Sequence, residues 1–161
     1  MAWIFRLAWA ALSFSVCACT MLDDTSSDPD EGVPCPEAES PDGCGVLALV
    51  NTERSRAGVS ALRYDPALAR AAQAHAEDML ARNYFDHVSP DGRRFSDRAA
   101  AAGYQGFATG ENIAQGQRSA AEVMSSWMNS AGHRRNILSS DSNEIGVGVA
   151  QRTWVQVFGK H

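Results

Sequence analysis

Apolar residues recur at helical spacing through most of the chain and switch to every second position near its C-terminus. Val46, Leu47, Leu49 and Val50 run into a polar end at Glu53, Arg54 and Arg56 and stop at Gly58, a pattern that predicts a first helix. Ala61, Leu62 and Tyr64 form a short connection. Asp65 followed by Pro66 pairs a capping side chain with a residue that needs no N–H partner, so a second helix opens there. It runs to about Arg82, with Leu68, Ala71, Ala72, His75 and Met79 on one face. Asn83, Pro90, Asp91 and Gly92 break that pattern and leave His87 on a loop. Ser96 is placed to cap a short helix through Ala102, ended by Gly103. Tyr104 to Gly116 is punctuated by glycine and reads as a turn region holding Gly110, Glu111, Asn112, Ile113 and Ala114.

Ser119 with Glu122 three residues later is a capping box for a helix burying Val123, Met124 and Trp127. Ser130 then caps one more short turn through Leu138, bearing His133. Ile145, Val147 and Val149 alternate with small residues, and Trp154 to Phe158 follows a polar turn at Gln151 to Thr153. Alternation on both sides of a turn predicts a closing β-hairpin. Helices around a small antiparallel sheet make an α+β domain. No internal repeat or low-complexity segment interrupts it.

The 161 residues, 45% hydrophobic and 20% charged, suffice for one compact domain and are too few for two ordinary ones. The net charge of -5 is unevenly spread: residues 20–45 hold eight acids and no Lys or Arg, whereas from Val46 onward eleven acids face thirteen bases. The folded part lacks the concentrated basic surface of a nucleic-acid binder, so no nucleic-acid partner is expected.

Residues 1–18 read as an export signal, with Arg6 as their one charge and an apolar run from Leu7 to Val16. Val16, Cys17, Ala18 and Cys19 resemble a bacterial lipobox, in which Cys19 is lipidated and becomes the mature N-terminus. Ordinary signal cleavage at the same bond gives a secreted protein instead. A spanning anchor needs about 20 apolar residues, more than this run supplies. Removing the signal leaves Cys19, Cys35 and Cys44; with Cys19 lipidated, the other two are an even pair in an oxidising compartment. Residues 19–43 are acidic, rich in Ser and Pro and nearly free of large apolar side chains, so they read as a tether ahead of a domain at 44–161.

Several catalytic patterns are incomplete. His75, Ala76, Glu77 begins a zinc-deaminase signature, but no cysteine follows Cys44 to complete it. Neither His75 nor His87 has a histidine four residues on, as a zincin helix requires. No glycine-rich phosphate loop is present, and Ser130 near His133 is better explained as a cap than as a nucleophile. A helix histidine such as His75 is most simply a buried side chain with one hydrogen bond. His87, Glu111 and His133 remain. Two imidazoles and a carboxylate suit a divalent metal such as zinc, or can hold and activate water. The alternative is structural, with Glu111 and Asn112 organising a loop by hydrogen bonds.

Taken in order, His75 and Met79, then Phe85, His87, Ser89 and Gly92, then Gly103 and Tyr104, then Gly110 to Ala114, then Trp127, Ser130, Gly132, His133, Arg134, Asn136, Ile137 and Leu138, then Ile145 to Gly148, and finally Trp154, Gln156 and Phe158 resemble the bacterial branch of the CAP superfamily. This superfamily includes cysteine-rich secretory proteins, venom allergens and plant pathogenesis-related proteins. The resemblance covers Val46 to Gly159. It implies an α-β-α sandwich with a central cleft outside the cytoplasm, where some members bind divalent metal and others bind lipids or partner proteins. His87 matches the first histidine of the eukaryotic cleft and Glu111 its first glutamate. Ser130 and Thr153 stand where the second glutamate and second histidine would be, leaving His133 of the bacterial pattern to fill part of the gap. The expectation is an exported, lipid-anchored domain, membrane-tethered through Cys19, whose cleft takes a small ligand, an envelope component or a divalent cation. The alternative is a hydrolase of peptide or envelope substrates with His87 or Glu111 as base.

Overall fold

The computed structural model describes residues 34–36 and 40–161. The export signal, Cys19 and most of the tether therefore lie outside the described residues. The elements in order are α1 (Pro41–Arg56), β1 (Arg63–Tyr64), α2 (Pro66–Ala81), α3 (Phe95–Ala101), β2 (Phe107–Gln115), α4 (Ala120–Met128), α5 (Ala131–Ile137), β3 (Glu144–Ala150) and β4 (Thr153–Lys160).

The sheet runs β1-β3-β4-β2, and both of its faces are covered. On β4, Trp154 and Phe158 join Val46 and Val50 of α1, Val123, Met124 and Trp127 of α4, and Ile137 of α5 in one core. Val155 and Val157, on the opposite pleat, join Leu68, Ala72 and Met79 of α2 and Ala99 of α3 in a second core. Alternate residues of one strand thus feed two cores, giving three layers: α1, α4 and α5, then the sheet, then α2 and α3. The expected α+β sandwich is present. The sheet is mixed, because β1 pairs parallel to β3 while β3–β4 and β4–β2 are antiparallel.

The predicted caps hold at two helices. Asp65 Oδ1 accepts from Leu68 N–H at 2.7 Å, and Ser119 Oγ from Glu122 N–H at 3.2 Å. Elsewhere the boundaries move. The first helix starts at Pro41, inside the stretch read as tether. The third starts at Phe95, with Asp97 Oδ2 accepting from Arg94 N–H at 2.9 Å, so Ser96 is inside it rather than its cap. Ser130 occupies the N-cap position of α5, but its side chain makes no capping hydrogen bond.

The largest correction concerns Gly110 to Ala114. They form a strand, not a turn, paired along β4 with an irregularity between Ala108 and Gly110. Glycine and asparagine mask a strand whose pairing depends on a partner forty or more residues away. The glycines of β3 have a different use: a Cβ on Gly146 would lie 2.0 Å from Ala69 N, and one on Gly148 2.1 Å from Gln73 N. Helix α2 rests directly on the sheet backbone, and only glycine permits that approach. Cys35 and Cys44 are joined in a disulfide, which fastens the chain before α1 to its first turn.

Candidate functional site

The outer strand β2 carries residues toward both layers. Glu111 pairs with Val157 and Asn112 with Gln156, so Glu111 points toward α2 and α3 while Asn112 points toward α4 and α5. The site is built where these two directions meet loops from either side.

On the first side, the loop between α2 and α3 is held from beneath. His75, wholly buried on α2, donates from Nε2 to the Asp86 carbonyl at 3.1 Å. Arg98 of α3 donates to the His87 carbonyl at 3.0 Å, to the Arg93 carbonyl at 2.8 Å and to Ser89 Oγ at 3.0 Å. Its remaining terminal hydrogen goes to Glu111 Oε2 at 2.7 Å. Glu111 Oε1 meets His87 Nδ1 at 2.8 Å. The Glu111 side chain is 1% exposed and that of His87 is 51% exposed. A buried carboxylate therefore carries an arginine on one oxygen and a solvent-facing imidazole on the other.

This arrangement decides the proton on His87. Hydrogen bonding to Glu111 raises its pKa above the ordinary histidine value, outweighing partial burial. With Nδ1–H directed at the carboxylate, Nε2 is the nitrogen left for a ligand.

On the second side, Asn112 Nδ2 donates to Gln156 Oε1 at 3.0 Å and to the His133 carbonyl at 3.2 Å. Asn136 Nδ2 donates to Asn112 Oδ1 at 2.9 Å and to the Glu111 carbonyl at 3.2 Å. These amides clamp α5 to β2 and so place His133. Burial, and then the charge of His87, lower the His133 pKa; the two imidazoles are within electrostatic reach of each other.

Glu111 is thus brought to His87 by direct contact, and His133 by proximity. Among the described residues no group of three or more His, Cys, Asp or Glu is placed to hold a metal ion. Both Glu111 oxygens are engaged, one by His87 and one by Arg98. Sequence reasoning missed Arg98 and Asn136, and it gave His75 no part in the site. Arg98 falls among polar residues of a short helix, and no local pattern distinguishes it. Asn136 was visible only as one position of the family pattern.

The described residues include no helix long and apolar enough to cross a membrane. Comparison with known proteins finds the uncharacterized protein YkwD of Bacillus subtilis, 42% identical over 115 residues, covering 70% of this chain and 45% of that protein. The uncharacterized membrane protein YlbC of the same organism is 36% identical over 115 residues, covering 71% and 33%. The chain spans less than half the length of these curated relatives. Among solved structures, an extracellular protein containing an SCP domain from Bacillus anthracis superposes with a TM-score of 0.73 at 31% identity, covering 81% of this chain and 45% of that one. An outer surface protein of Borrelia burgdorferi shares the fold, with a TM-score of 0.68 at 20% identity over 81% of this chain and 98% of its own. Residues 47–158 match CAP, the cysteine-rich secretory protein family, and the chain belongs to that family.

Proposed function

We propose that this is an extracytoplasmic binding domain, lipid-anchored through Cys19, whose cleft takes a small ligand or a divalent cation such as zinc through His87 and His133. The observation that carries this is the 2.8 Å contact between His87 Nδ1 and the buried Glu111 carboxylate. It engages Nδ1 and leaves Nε2 of a half-exposed imidazole for a ligand, as outer carboxylates do for metal-binding histidines. In this role Glu111 orients rather than ligates. Water completes the coordination of a cation held by two imidazoles.

The sign of the pH dependence follows from the raised pKa of His87. A cation must displace its proton, so cation binding strengthens as pH rises through the His87 titration. A ligand that accepts a hydrogen bond from protonated His87 shows the reverse. Titrating zinc while following histidine ring signals by NMR tests the reading. His87 and His133 are expected to shift together, and His87→Ala to abolish the response; unchanged signals at millimolar zinc contradict the cation. For the anchor, labelled fatty acid should enter the protein and be absent from Cys19→Ala.

The same carboxylate–imidazole pair favours a second reading, hydrolysis of a peptide or envelope substrate with His87 as general base. Turnover of a cell-wall panel lost in the Glu111→Gln, His87→Ala double variant supports it. Turnover persisting undiminished in that variant rules it out.

A further inference from the structure

A cavity of about 410 Å³ lies between α2 and α3 and reaches Ser89 and Arg93 of the loop that joins them. Its volume falls within the roughly 300–1,000 Å³ typical of ligand sites. Small side chains make the room: Ala71 and Ala74 on α2, and Ala101 and Ala102 at the end of α3. Arg70, Arg93 and Arg98 line it together with one carboxylate, Asp78. That carboxylate is already engaged, since Asp78 Oδ2 accepts from the Tyr84 hydroxyl at 2.5 Å and Arg82 lies 3.5 Å away. His87, Glu111 and His133 take no part in the lining.

Arg98 brings an unmet donor to this cavity. The two terminal nitrogens of its guanidinium spend their four hydrogens on Ser89 Oγ, the carbonyls of Arg93 and His87, and Glu111 Oε2. Nε is buried and has no acceptor, on a side chain 6% exposed. A buried donor on a charged group is seldom left unpaired, because leaving it so costs stability. Two exposed arginines add donors at the rim. Arg70 spends one terminal nitrogen on the Ala102 carbonyl at 3.0 Å, which holds its side chain across the gap between the helices. Arg93 spends Nε on Asp91 at 2.8 Å, and its terminal nitrogens are left for a ligand.

We propose that this cavity binds a small organic carboxylate, whose oxygens meet Arg98 Nε and the rim arginines while its apolar body rests on the four alanines. A planar carboxylate matches the guanidinium fork. Asp78 sets the charge of the ligand, because a second negative charge beside it is repelled. Arg98 Nε is closed to bulk solvent, so the ligand oxygen reaches it as the exposed arginines at the rim change rotamer, a pico- to nanosecond motion. The site stands independently of any role for His87.

The test adds benzoate and follows the arginine Nε–H signals by NMR. The Arg98 Nε–H signal should shift in a saturable way. Benzamide keeps the ring and loses the charge, and should bind about tenfold or more weakly, the factor expected for one charge-assisted hydrogen bond. Phenyl phosphate, a dianion, should bind more weakly than benzoate. Arg70→Gln should weaken benzoate about fivefold or more. Ala74→Leu fills the cavity from an exposed helix position and should abolish the shift in a protein that keeps the parent's circular dichroism. His87→Ala should bind benzoate as well as the parent does. An Arg98 Nε–H signal that benzoate leaves in place, equal binding of benzamide, tighter binding of phenyl phosphate, or undiminished binding in Ala74→Leu would each overturn the proposal.

Discussion

Two arginines carry charge into the interior, and they do so differently. Arg98 has a carboxylate partner, Glu111, with side chains 6% and 1% exposed. Arg54 is 1% exposed and has carbonyls instead: Ser60 at 2.7 Å, Ile137 and Ser139 at 2.8 Å each, and Ser142 at 3.2 Å. Arg98→Met leaves Glu111 buried and lacking its cation, which should cost about 3–5 kcal/mol in denaturant unfolding. Arg54→Met strands four carbonyls and should cost at least about 3 kcal/mol. By contrast Arg56→Ala, which removes a solvent-exposed pair with Glu53, should cost under about 1 kcal/mol. In the sequence Arg54 reads as part of the polar end of a helix, because its carbonyl partners on α5 and beyond are more than eighty residues away. The histidines add a pH dependence of mixed sign. Burial lowers the pKa of His75 and of His133, so their contribution to stability falls as pH drops below about 6.5. His87 is raised; its contribution is fully present below about 6.5 and is lost as pH rises through its folded value. Thermal melts across pH should therefore show a steeper acid loss in His87→Gln and a shallower one in His75→Gln.

At the scale of elements, glycine decides where helices and strands touch. Gly148→Ala pushes a methyl group into the α2 backbone and should destabilise by about 3 kcal/mol or more, since neither element is a flexible side chain. Gly132→Ala on α5 meets nothing within 4 Å and should be neutral or stabilise by up to about 1 kcal/mol. Melting both variants checks the contrast. Helices α2 and α4 were legible because Asp65, Pro66, Ser119 and Glu122 are local signals that act within four residues. The hairpin of β3 and β4 was legible from its alternation. Strand β2 was not, because Gly110 and Asn112 disfavour a strand locally and β4 supplies the pairing that overrides them. The consequence reached the site: Glu111 was placed on a loop, whereas a strand buried from both layers holds it.

Across the whole molecule, the candidate site is formed where two helical layers meet one outer strand. Arg98 and the His87 loop come from the α2–α3 layer; Asn136 and His133 come from the α4–α5 layer. That convergence depends on contacts between residues up to some twenty-five positions apart, so the spacing of His87, Glu111 and His133 alone could not reveal it. The ordered motifs of the CAP pattern carried that information, and they named His87, Glu111 and His133. Of the supporting residues, His75, Asn112, Asn136 and Gln156 were positions of the same pattern, whereas Arg98, and the hydrogen bonds that tie these side chains together, came only with the fold. The chemistry open to the candidate site rests on Glu111 setting the state of His87. The most direct test is an NMR titration of the His87 imidazole in the parent and in Glu111→Gln. The parent should hold its proton on Nδ1 when neutral and titrate above the ordinary histidine value, and Glu111→Gln should lower that pKa; a proton on Nε2, or a pKa that does not move in the variant, would contradict that role for Glu111.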